Sequence, residues 1–195
     1  MRLSRLVLVV ATLAALAGCT FKGVPEPQVS SRDSEWLAQV PTAQEEPRYA
    51  RYMIDDPTGE APGTIVVDTK QRFLYYVLDN KKAIRYGVAV GDEAYGWTGV
   101  SRVARKAEWP DWNPPAEMKA RWPHVRYTKG GPSNPLGARA LYLYEGNRDT
   151  LYRIHGTNEP EKIGLAVSSG CIRMRNIDVI DLYNRVALNT KVIVR

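Results

Sequence analysis

The chain has 195 residues, of which 44% are hydrophobic and 25% are charged, and its formal net charge is +6. This length allows one domain of ordinary size with a leader or a tail, and the apolar content excludes a generally disordered chain. Lysine and arginine are interspersed with aspartate and glutamate, so no nucleic-acid partner is predicted. The modest positive excess suits a protein that works beside an anionic polymer or an anionic lipid.

Residues 1–18 have the pattern of a secretory signal peptide. A basic start precedes an apolar stretch at 6–17, which is too short to span a bilayer as a stable helix. The Leu-Ala-Gly-Cys sequence that ends at Cys19 resembles the lipobox of bacterial lipoproteins. The resemblance implies lipidation of Cys19, and Thr20 favours the outer over the inner membrane. We therefore expect a lipid-anchored envelope protein that faces the periplasm, with ordinary secretion and a free Cys19 thiol as the alternative.

Residues 19–61 are rich in proline, serine, glutamine and glutamate and contain few apolar residues. This composition predicts a flexible, partly extended tether. An aromatic patch around Tyr49 and Tyr52, near its end, is a candidate for docking on the folded part. We thus predict three parts: the signal peptide at 1–18, the lipidated cysteine and tether at 19–61, and one domain at 62–195.

The domain is predicted to be mostly β. Runs of β-branched and aromatic residues, separated by turn residues, predict strands at 64–68, 72–78, 83–90, 140–144, 150–154 and 191–195. The first three read as a β-meander of antiparallel neighbours. The pattern predicts no βαβ alternation and no phosphate-binding glycine loop. The predicted fold class is therefore a β-meander or mixed-sheet sandwich with one or two short helices.

Residues 91–138 are predicted as a long loop rich in glycine, proline and tryptophan, with a short helix at 115–121. Within it, the Trp-rich stretch 97–122 has two interpretations, as core filling or as a lid and sugar-stacking wall of a site. His124 is interpreted as a surface or packing residue, with a substrate contact as the alternative. An amphipathic helix is predicted at 177–186, with Asn176 as its N-cap.

Two places carry residues suited to nucleophilic catalysis. The strand at 150–154 runs directly into His155-Gly156, and Cys171 follows Gly170 shortly before the amphipathic helix. Cysteine attacks carbonyl groups as the thiolate, and an imidazole can take its proton and later protonate the leaving amine. Gly170 lets the backbone bend and expose N–H groups to an oxyanion. On residue types alone, an inert buried cysteine and a non-catalytic histidine remain open interpretations.

The histidines and cysteines do not have the spacing of metal ligands, so no metal site and no cofactor are predicted. Of the two histidines, His155 is the favoured base because it ends a strand and precedes a glycine. Tyr152 and Arg153 alternate on that strand, and one of the two should face the site.

The run Ile-His-Gly-Thr at 154–157, followed by Ser-Ser-Gly-Cys-Ile-Arg-Met at 168–174, resembles the signature of YkuD-type L,D-transpeptidase catalytic domains. A Trp-Pro-Asp-Trp-Asn-Pro-Pro segment at 109–115 and an Asn-Pro-Leu-Gly segment at 134–137 are similar too. The resemblance covers residues 62–195 and implies the fold of that domain type.

The resemblance also assigns roles. It implies that Cys171 is the nucleophile, that His155 is the general base and acid, and that the carbonyl of Gly156 orients the imidazole. The backbone N–H groups of Ser169, Gly170 and Cys171 would stabilise the oxyanion.

Arg173, Ser168 and Tyr152 are candidate substrate contacts, and Arg173 has a structural ion pair as its alternative role. Ser169 stands where many family members have a second histidine, which makes His155 the one plausible base near Cys171.

The implied reaction is acyl transfer on peptidoglycan. The thiolate attacks the bond between the third residue of a tetrapeptide stem and its terminal D-Ala and forms a thioester, which an amine of another stem or of an envelope protein resolves. Two alternatives remain open: an L,D-carboxypeptidase or amidase on the same scaffold, and a non-catalytic peptidoglycan-binding lipoprotein. The expected partners are stem peptides, a membrane through the lipid anchor, and an envelope protein if one serves as acceptor.

Overall fold

Strands dominate the part of the chain that the computed structural model describes, residues 22–92 and 96–195. The strands are β1 (Lys22–Gly23), β2 (Tyr52–Asp55), β3 (Ile65–Asp68), β4 (Phe73–Leu78), β5 (Lys82–Gly87), β6 (Val90–Gly91), β7 (Gly99–Glu108), β8 (Arg139–Glu145), β9 (Arg148–His155), β10 (Ala166–Ser168), β11 (Ile172–Arg173) and β12 (Lys191–Val194). The helices are α1 (Ser31–Leu37), α2 (Ala116–Arg121) and α3 (Asn176–Arg185), with 3₁₀ helices at Pro47–Tyr49 and Pro160–Lys162. The predicted fold class, mostly β with few helices, is confirmed. The predicted signal peptide and Cys19 lie outside the described residues.

Ten strands form one mixed sheet in the order β1-β2-β5-β4-β3-β12-β7-β8-β9-β11. The predicted meander is present, because β3, β4 and β5 are antiparallel neighbours. The C-terminal strand β12 joins the two halves of the sheet, since it pairs parallel to β3 and antiparallel to β7. β6 and β10 form a separate parallel pair.

Side-chain alternation along the strands supplies cores on both faces of the sheet. In β3, Ile65 and Val67 join the larger cluster, whereas Val66 between them joins a second cluster on the other face. Val179 and Leu182 of α3 pack into the larger cluster, so α3 covers that face. The central strands are therefore buried on both sides.

Strand β7 is the largest departure from the predicted fold, because it lies in the region predicted as a loop. Its sequence has no β-branched run, and Ser101 and Val103 are its buried residues. Pairing with β12 on one side and β8 on the other holds it in the sheet, with a bulge between Val103 and Arg105. Here tertiary pairing outweighs a weak local preference for the strand.

The described part of the predicted tether, residues 22–61, packs on the domain, which corrects that part of the prediction. Strands β1 and β2 extend the sheet beyond β5. Helix α1 begins with a capping box between Ser30 and Asp33, so the polar residues that suggested an extended chain act as helix caps. The boundary at residue 62 stays a prediction.

Buried polar contacts hold this segment in place. The carboxylate of Asp33 accepts two hydrogen bonds from the guanidinium of Arg139, at 2.9 and 2.8 Å, and a third from Nε1 of Trp109 at 2.7 Å. Nη1 of Arg51 lies 3.0 Å from Oδ1 of Asp178 in α3, and both side chains are buried. Tyr49 Oη donates to the carbonyl of Gly164, so the aromatic patch does dock on the domain.

The parallel pair β9–β11 positions the residues singled out for chemistry. Ile172 lies opposite Ile154, and Arg173 lies opposite His155. Continued by one residue, this register places Cys171, just before β11, beside Arg153, two residues before the end of β9. Among the described residues, no helix is long and apolar enough to cross a membrane.

Candidate active site

A cavity of about 580 Å³ opens at the edge of the sheet formed by β7, β8, β9 and β11, with His155 and Cys171 in its wall. The remaining lining residues come from these strands, from the Trp-rich segment, from the segment 134–137 and from the turn before Cys171: Arg105, Asp111, Trp112, Asn113, Pro115, Met118, Arg121, Trp122, Pro135, Leu136, Tyr142, Thr150, Leu151, Tyr152, Arg153, Ser168, Ser169 and Arg173. The structure thus brings both predicted catalytic side chains to one cavity.

His155 is the last residue of β9, and its side chain is held by the backbone of the next residue. Nδ1 lies 2.6 Å from the carbonyl oxygen of Gly156. A carbonyl oxygen can only accept a hydrogen bond, so Nδ1 carries the proton in the neutral ring. Nε2 is then the ring nitrogen that can accept a proton. The contact between Nδ1 and the Gly156 carbonyl is the one expected from the sequence.

Burial of the His155 ring and the positive charge of Arg173 lower the pKa of His155 to about 3. The carbonyl groups of Gly156 and Leu136 favour the charged ring, but their effect is smaller than that of burial. His155 is therefore neutral at pH 7.

Cys171 is half-buried and is not part of a disulfide. Burial raises the pKa of its thiol, whereas a backbone hydrogen bond from Arg153 and the positive charges of Arg153 and Arg173 act in the opposite direction. Within residues 22–92 and 96–195, no hydrogen bond joins the thiol to the His155 ring. The empty site thus holds a neutral thiol and a neutral imidazole in the same cavity.

Ser168 shapes the turn that presents Cys171. Its buried hydroxyl donates to the carbonyl of Cys171 at 2.6 Å and accepts the N–H of Gly170 at 3.2 Å. Gly170 has a φ of +119°, a conformation that favours glycine. Ser168, a candidate substrate contact from the sequence, is engaged within this turn, and so is the N–H of Gly170.

Asn176 is a site residue whose role the sequence did not reveal. It was predicted as the N-cap of the last helix, which is wrong, because α3 begins at Asn176 and Arg175 occupies the cap position. Its buried amide accepts the N–H groups of Ala138 at 2.9 Å and of Thr157 at 3.1 Å, and donates to the carbonyl of Thr157 at 2.8 Å.

The Asn176 amide requires glycine on two sides. A Cβ on Gly137, whose φ is +61°, would lie 2.2 Å from Oδ1 of Asn176, and one on Gly156 would lie 2.1 Å from it. Asn176 therefore locks the backbone of the segment that contains His155 and Gly156. Gly137 ends the Asn-Pro-Leu-Gly segment, and Gly156 follows His155 directly. These two glycines were the sequence signal that could have indicated the close approach of another side chain.

Arg173 has the structural ion pair considered for it, and its role as a substrate contact stays a prediction. Its Nη1 lies 2.8 Å from Oε2 of Glu159, which is a structural ion pair, and its side chain also lines the cavity. Tyr152 lines the cavity and stacks on Trp97, with ring centroids 5.5 Å apart.

The tryptophans of the Trp-rich stretch lie in different surroundings, and their role as a lid or sugar-stacking wall stays a prediction. Trp112 and Trp122 line the cavity. Trp109 is buried and packs edge-on against Trp36 of the N-terminal segment, at 5.1 Å between ring centroids. His124 is exposed and does not belong to the cavity wall that the structure describes.

The L,D-transpeptidase catalytic domain family, YkuD, has a sequence model that matches residues 62–194. A curated Escherichia coli K12 protein described as "Probable L,D-transpeptidase YbiS" is 35% identical over 139 residues, which covers 67% of this chain and 43% of that protein. The chain therefore spans less than half the length of this relative.

Among solved structures, a Brucella melitensis protein described as a "Probable carnitine operon oxidoreductase" is 47% identical, with a TM-score of 0.53, and the match covers 74% of this chain and 92% of that one. A mutant of the Enterococcus faecium L,D-transpeptidase is 18% identical with a TM-score of 0.54, covering 69% of this chain and 50% of that one. At this identity the second match shows the fold alone.

Proposed function

Because this chain belongs to the L,D-transpeptidase catalytic domain family, we propose that it is a peptidoglycan L,D-transpeptidase that works through a thioester on Cys171. The observation that carries the proposal is the position of Cys171 and His155 in the wall of one cavity, with Nδ1 of His155 held by the Gly156 carbonyl. The description of the Escherichia coli relative as an L,D-transpeptidase supports the proposal.

In the first half-reaction, the Cys171 sulfur attacks the carbonyl carbon of the third stem residue while the thiol proton passes to Nε2 of His155. A C–S bond forms, the C–N bond to the terminal D-Ala breaks, and the imidazolium returns the proton to the leaving amine. The lowered pKa of His155 and the raised pKa of Cys171 disfavour an ion pair in the empty site. Proton transfer therefore accompanies attack on the bound substrate.

The negative charge that develops on the carbonyl oxygen needs donors. The Gly170 N–H already donates to Ser168 Oγ, so the proposed oxyanion donors are the N–H groups of Ser169 and Cys171. The guanidinium groups of Arg153 and Arg173 add positive charge near the sulfur.

In the second half-reaction, an amine attacks the thioester, an amide bond forms, and the Cys171 thiol is released. An amine from a second stem produces a cross-link, and an amine from an envelope protein attaches that protein to peptidoglycan. Water in place of the amine gives the carboxypeptidase reaction, the first alternative.

The decisive experiment incubates the full chain with a disaccharide-tetrapeptide and follows D-Ala release and the mass of the enzyme. We expect release of D-Ala and an acyl-enzyme adduct, both abolished in Cys171→Ala while circular dichroism shows an intact fold. Full activity of that variant would refute the proposal. Mass analysis of the products separates transfer from hydrolysis, because transfer alone yields a cross-link or an adduct.

The 47% identity to the Brucella melitensis protein makes an oxidoreductase the second candidate. It predicts turnover of an added redox cofactor and no D-Ala release. We favour acyl transfer because the cavity contains a cysteine and a histidine, and because the sequence pattern predicts no phosphate-binding glycine loop.

We also propose that Cys19 carries a lipid anchor and that the domain faces the periplasm. The support is the signal-peptide pattern of residues 1–18 and the lipobox-like sequence that ends at Cys19. Growth with an alkyne-tagged fatty acid should label the wild-type chain and leave Cys19→Ser unlabelled. Equal labelling of both would contradict the anchor.

A further inference from the structure

Three side chains form a row across the sheet next to the cavity: Arg105 on β7, Tyr142 on β8 and Arg153 on β9. The strand register pairs Arg105 with Tyr142 and Tyr142 with Arg153. The guanidinium carbons of Arg105 and Arg153 lie 3.7 and 4.5 Å from the centre of the Tyr142 ring. All three side chains line the cavity, so we call them the Arg-Tyr-Arg row.

The Arg-Tyr-Arg row lies on the same face of the sheet as the catalytic histidine. Arg153 and His155 are two residues apart on β9, and alternate residues of a strand point to the same face. Arg105 is two strands away from β9, which corresponds to about 10 Å at the usual spacing of strands. Arg105 lines the cavity, but its charge is not among those that act on the Cys171 thiol, whereas the charges of Arg153 and Arg173 are.

The two arginines of the row differ in their partners. Nη1 and Nη2 of Arg153 donate to the two carboxylate oxygens of Asp149, at 2.7 and 2.9 Å, so its hydrogen-bonding fork is already used. Arg173, nearer the thiol, is paired with Glu159. Arg105 forms no ion pair with any carboxylate that the structure describes, although its charge, like that of Arg153, helps to lower the pKa of Asp149.

We propose that Arg105 binds a carboxylate of the donor stem several bonds away from the scissile bond, and so selects stems that carry it. This inference rests on the proposed function. A guanidinium stacked on an aromatic ring keeps its planar N–H edge available, and that edge matches a carboxylate with two hydrogen bonds. Stacking on Tyr142 also limits the rotamers of Arg105, which reduces the entropy lost on binding.

The position of Arg105 restricts which carboxylate it binds. The carboxylate of the terminal D-Ala is adjacent to the scissile bond, too near the thiol for a guanidinium two strands away. The stem offers two more distant carboxylates, on its glutamate residue and on the side chain of its diamino acid. The proposal covers both, because each is a carboxylate that matches a guanidinium. Amidating one or the other shows which of the two Arg105 binds.

The test uses three tetrapeptide stems: one with free carboxylates, one amidated at the glutamate and one amidated at the diamino acid. Binding is measured in a Cys171→Ala background, and D-Ala release is measured with Cys171 present. Arg105→Gln is compared with Arg148→Gln, which removes the same charge from an exposed pair with Glu145. Arg105→Lys serves as the conservative variant, and thermal melts verify that each variant folds.

With Arg105 intact, we expect one of the two amidated stems to bind about tenfold more weakly than the free stem, the loss typical of a hydrogen bond to a charged group. Arg105→Gln should bind the free stem about tenfold more weakly and show no further loss with that amidated stem. The change should appear in KM for D-Ala release. Arg148→Gln should behave as the unmodified chain, and Arg105→Lys should fall between.

The inference is overturned if Arg105→Gln weakens all three stems equally or none of them. It is also overturned if that variant changes the rate at which iodoacetamide, a neutral reagent, alkylates Cys171, because Arg105 would then act on the thiol. Failure of the proposed function looks different: the unmodified chain would release no D-Ala while Arg105 still discriminates the stems in binding. A chain that binds no stem and releases no D-Ala contradicts both.

Discussion

Burial disfavours charge in two polar clusters of this domain, one around Asp33 and one around His155 and Cys171, yet the two clusters end in opposite charge states. Around Asp33, burial raises the pKa of the carboxyl, but hydrogen bonds from Arg139, Trp109 and Ser30 together bring it well below its usual value. In the cavity wall, burial of His155 and Cys171 outweighs the few contacts that favour their charged forms. The pKa of His155 therefore falls and that of Cys171 rises. The number of hydrogen bonds to the charged form decides whether a buried group stays ionised.

This difference separates a structural cluster from a reactive one. Asp33 and Arg139 are an ion pair in which the carboxylate accepts hydrogen bonds from Arg139, Trp109 and Ser30, and they join the N-terminal segment to β8. His155 and Cys171 are neutral, and in the proposed reaction they gain charge only as the thiol attacks. A thiolate stabilised as strongly as Asp33 would be a weaker nucleophile, because nucleophilicity falls as the thiol pKa falls.

The largest expected effect comes from breaking the structural cluster. Asp33→Ala leaves the buried guanidinium of Arg139 without its carboxylate, and we expect a loss of about 3–5 kcal/mol in the free energy of unfolding. Urea denaturation measures it. Glu108→Ala is the matched control, because it breaks the exposed pair with Arg32 and should cost at most about 1 kcal/mol. Equal losses in the two variants would contradict the structural role of the Asp33 cluster.

A smaller effect is expected from Asn176→Ala, which tests whether the Asn176 amide holds the backbone segment that contains His155. It removes the acceptor of the Ala138 and Thr157 N–H groups and should cost about 2–3 kcal/mol of stability. Because the same backbone segment orients His155, kcat for D-Ala release should also fall by about tenfold. Ser30→Ala weakens the cap of α1 and removes one hydrogen bond to Asp33, both outside the cavity wall, and should leave kcat unchanged. An unchanged kcat in Asn176→Ala would show that the hydrogen bonds of the Asn176 amide do not position His155.

The third test is a pH dependence that distinguishes the two clusters. The pKa of His155 is about 3 in the folded chain against an ordinary value of 6.5, so the unfolded chain binds the proton first as the pH falls. Its contribution to stability is present above pH 6.5 and is lost as the pH falls from 6.5 towards 3. Urea midpoints from pH 7 to pH 4 should therefore fall less steeply in His155→Gln than in the unmodified chain. Parallel curves would mean that His155 is not buried in its neutral form.

How much of this could be predicted from the sequence depends on the range of the interactions. Strands β3 and β4 were identified because their β-branched and aromatic residues favour strands locally. His155 and Cys171 were found because each lies in a short motif. β7 was missed because its neighbours β8 and β12, and not its own residues, hold it in the sheet.

Contacts between distant residues were beyond the reach of the sequence. Asp33 and Arg139 are 106 residues apart, and neither lies in a motif that indicates the other. The Arg-Tyr-Arg row depends on the register of three strands, including a bulge in β7 that shifts Arg105 by one position. A polar composition alone could not distinguish a free tether from a segment with its own buried partners.

If Cys19 carries the proposed lipid anchor, the folded N-terminal segment would limit how far from a membrane this chain can act. The first described residue, Lys22, is three residues from Cys19, which gives a connection of about 10 Å even when fully extended. A forty-residue tether would have allowed the cavity to reach layers of the wall at different depths. With so short a connection, the cavity would stay at a nearly constant height above the bilayer, set by the dimensions of the domain. The enzyme would then act on the glycan strands nearest the membrane, and the spacing between membrane and wall would control its access to substrate.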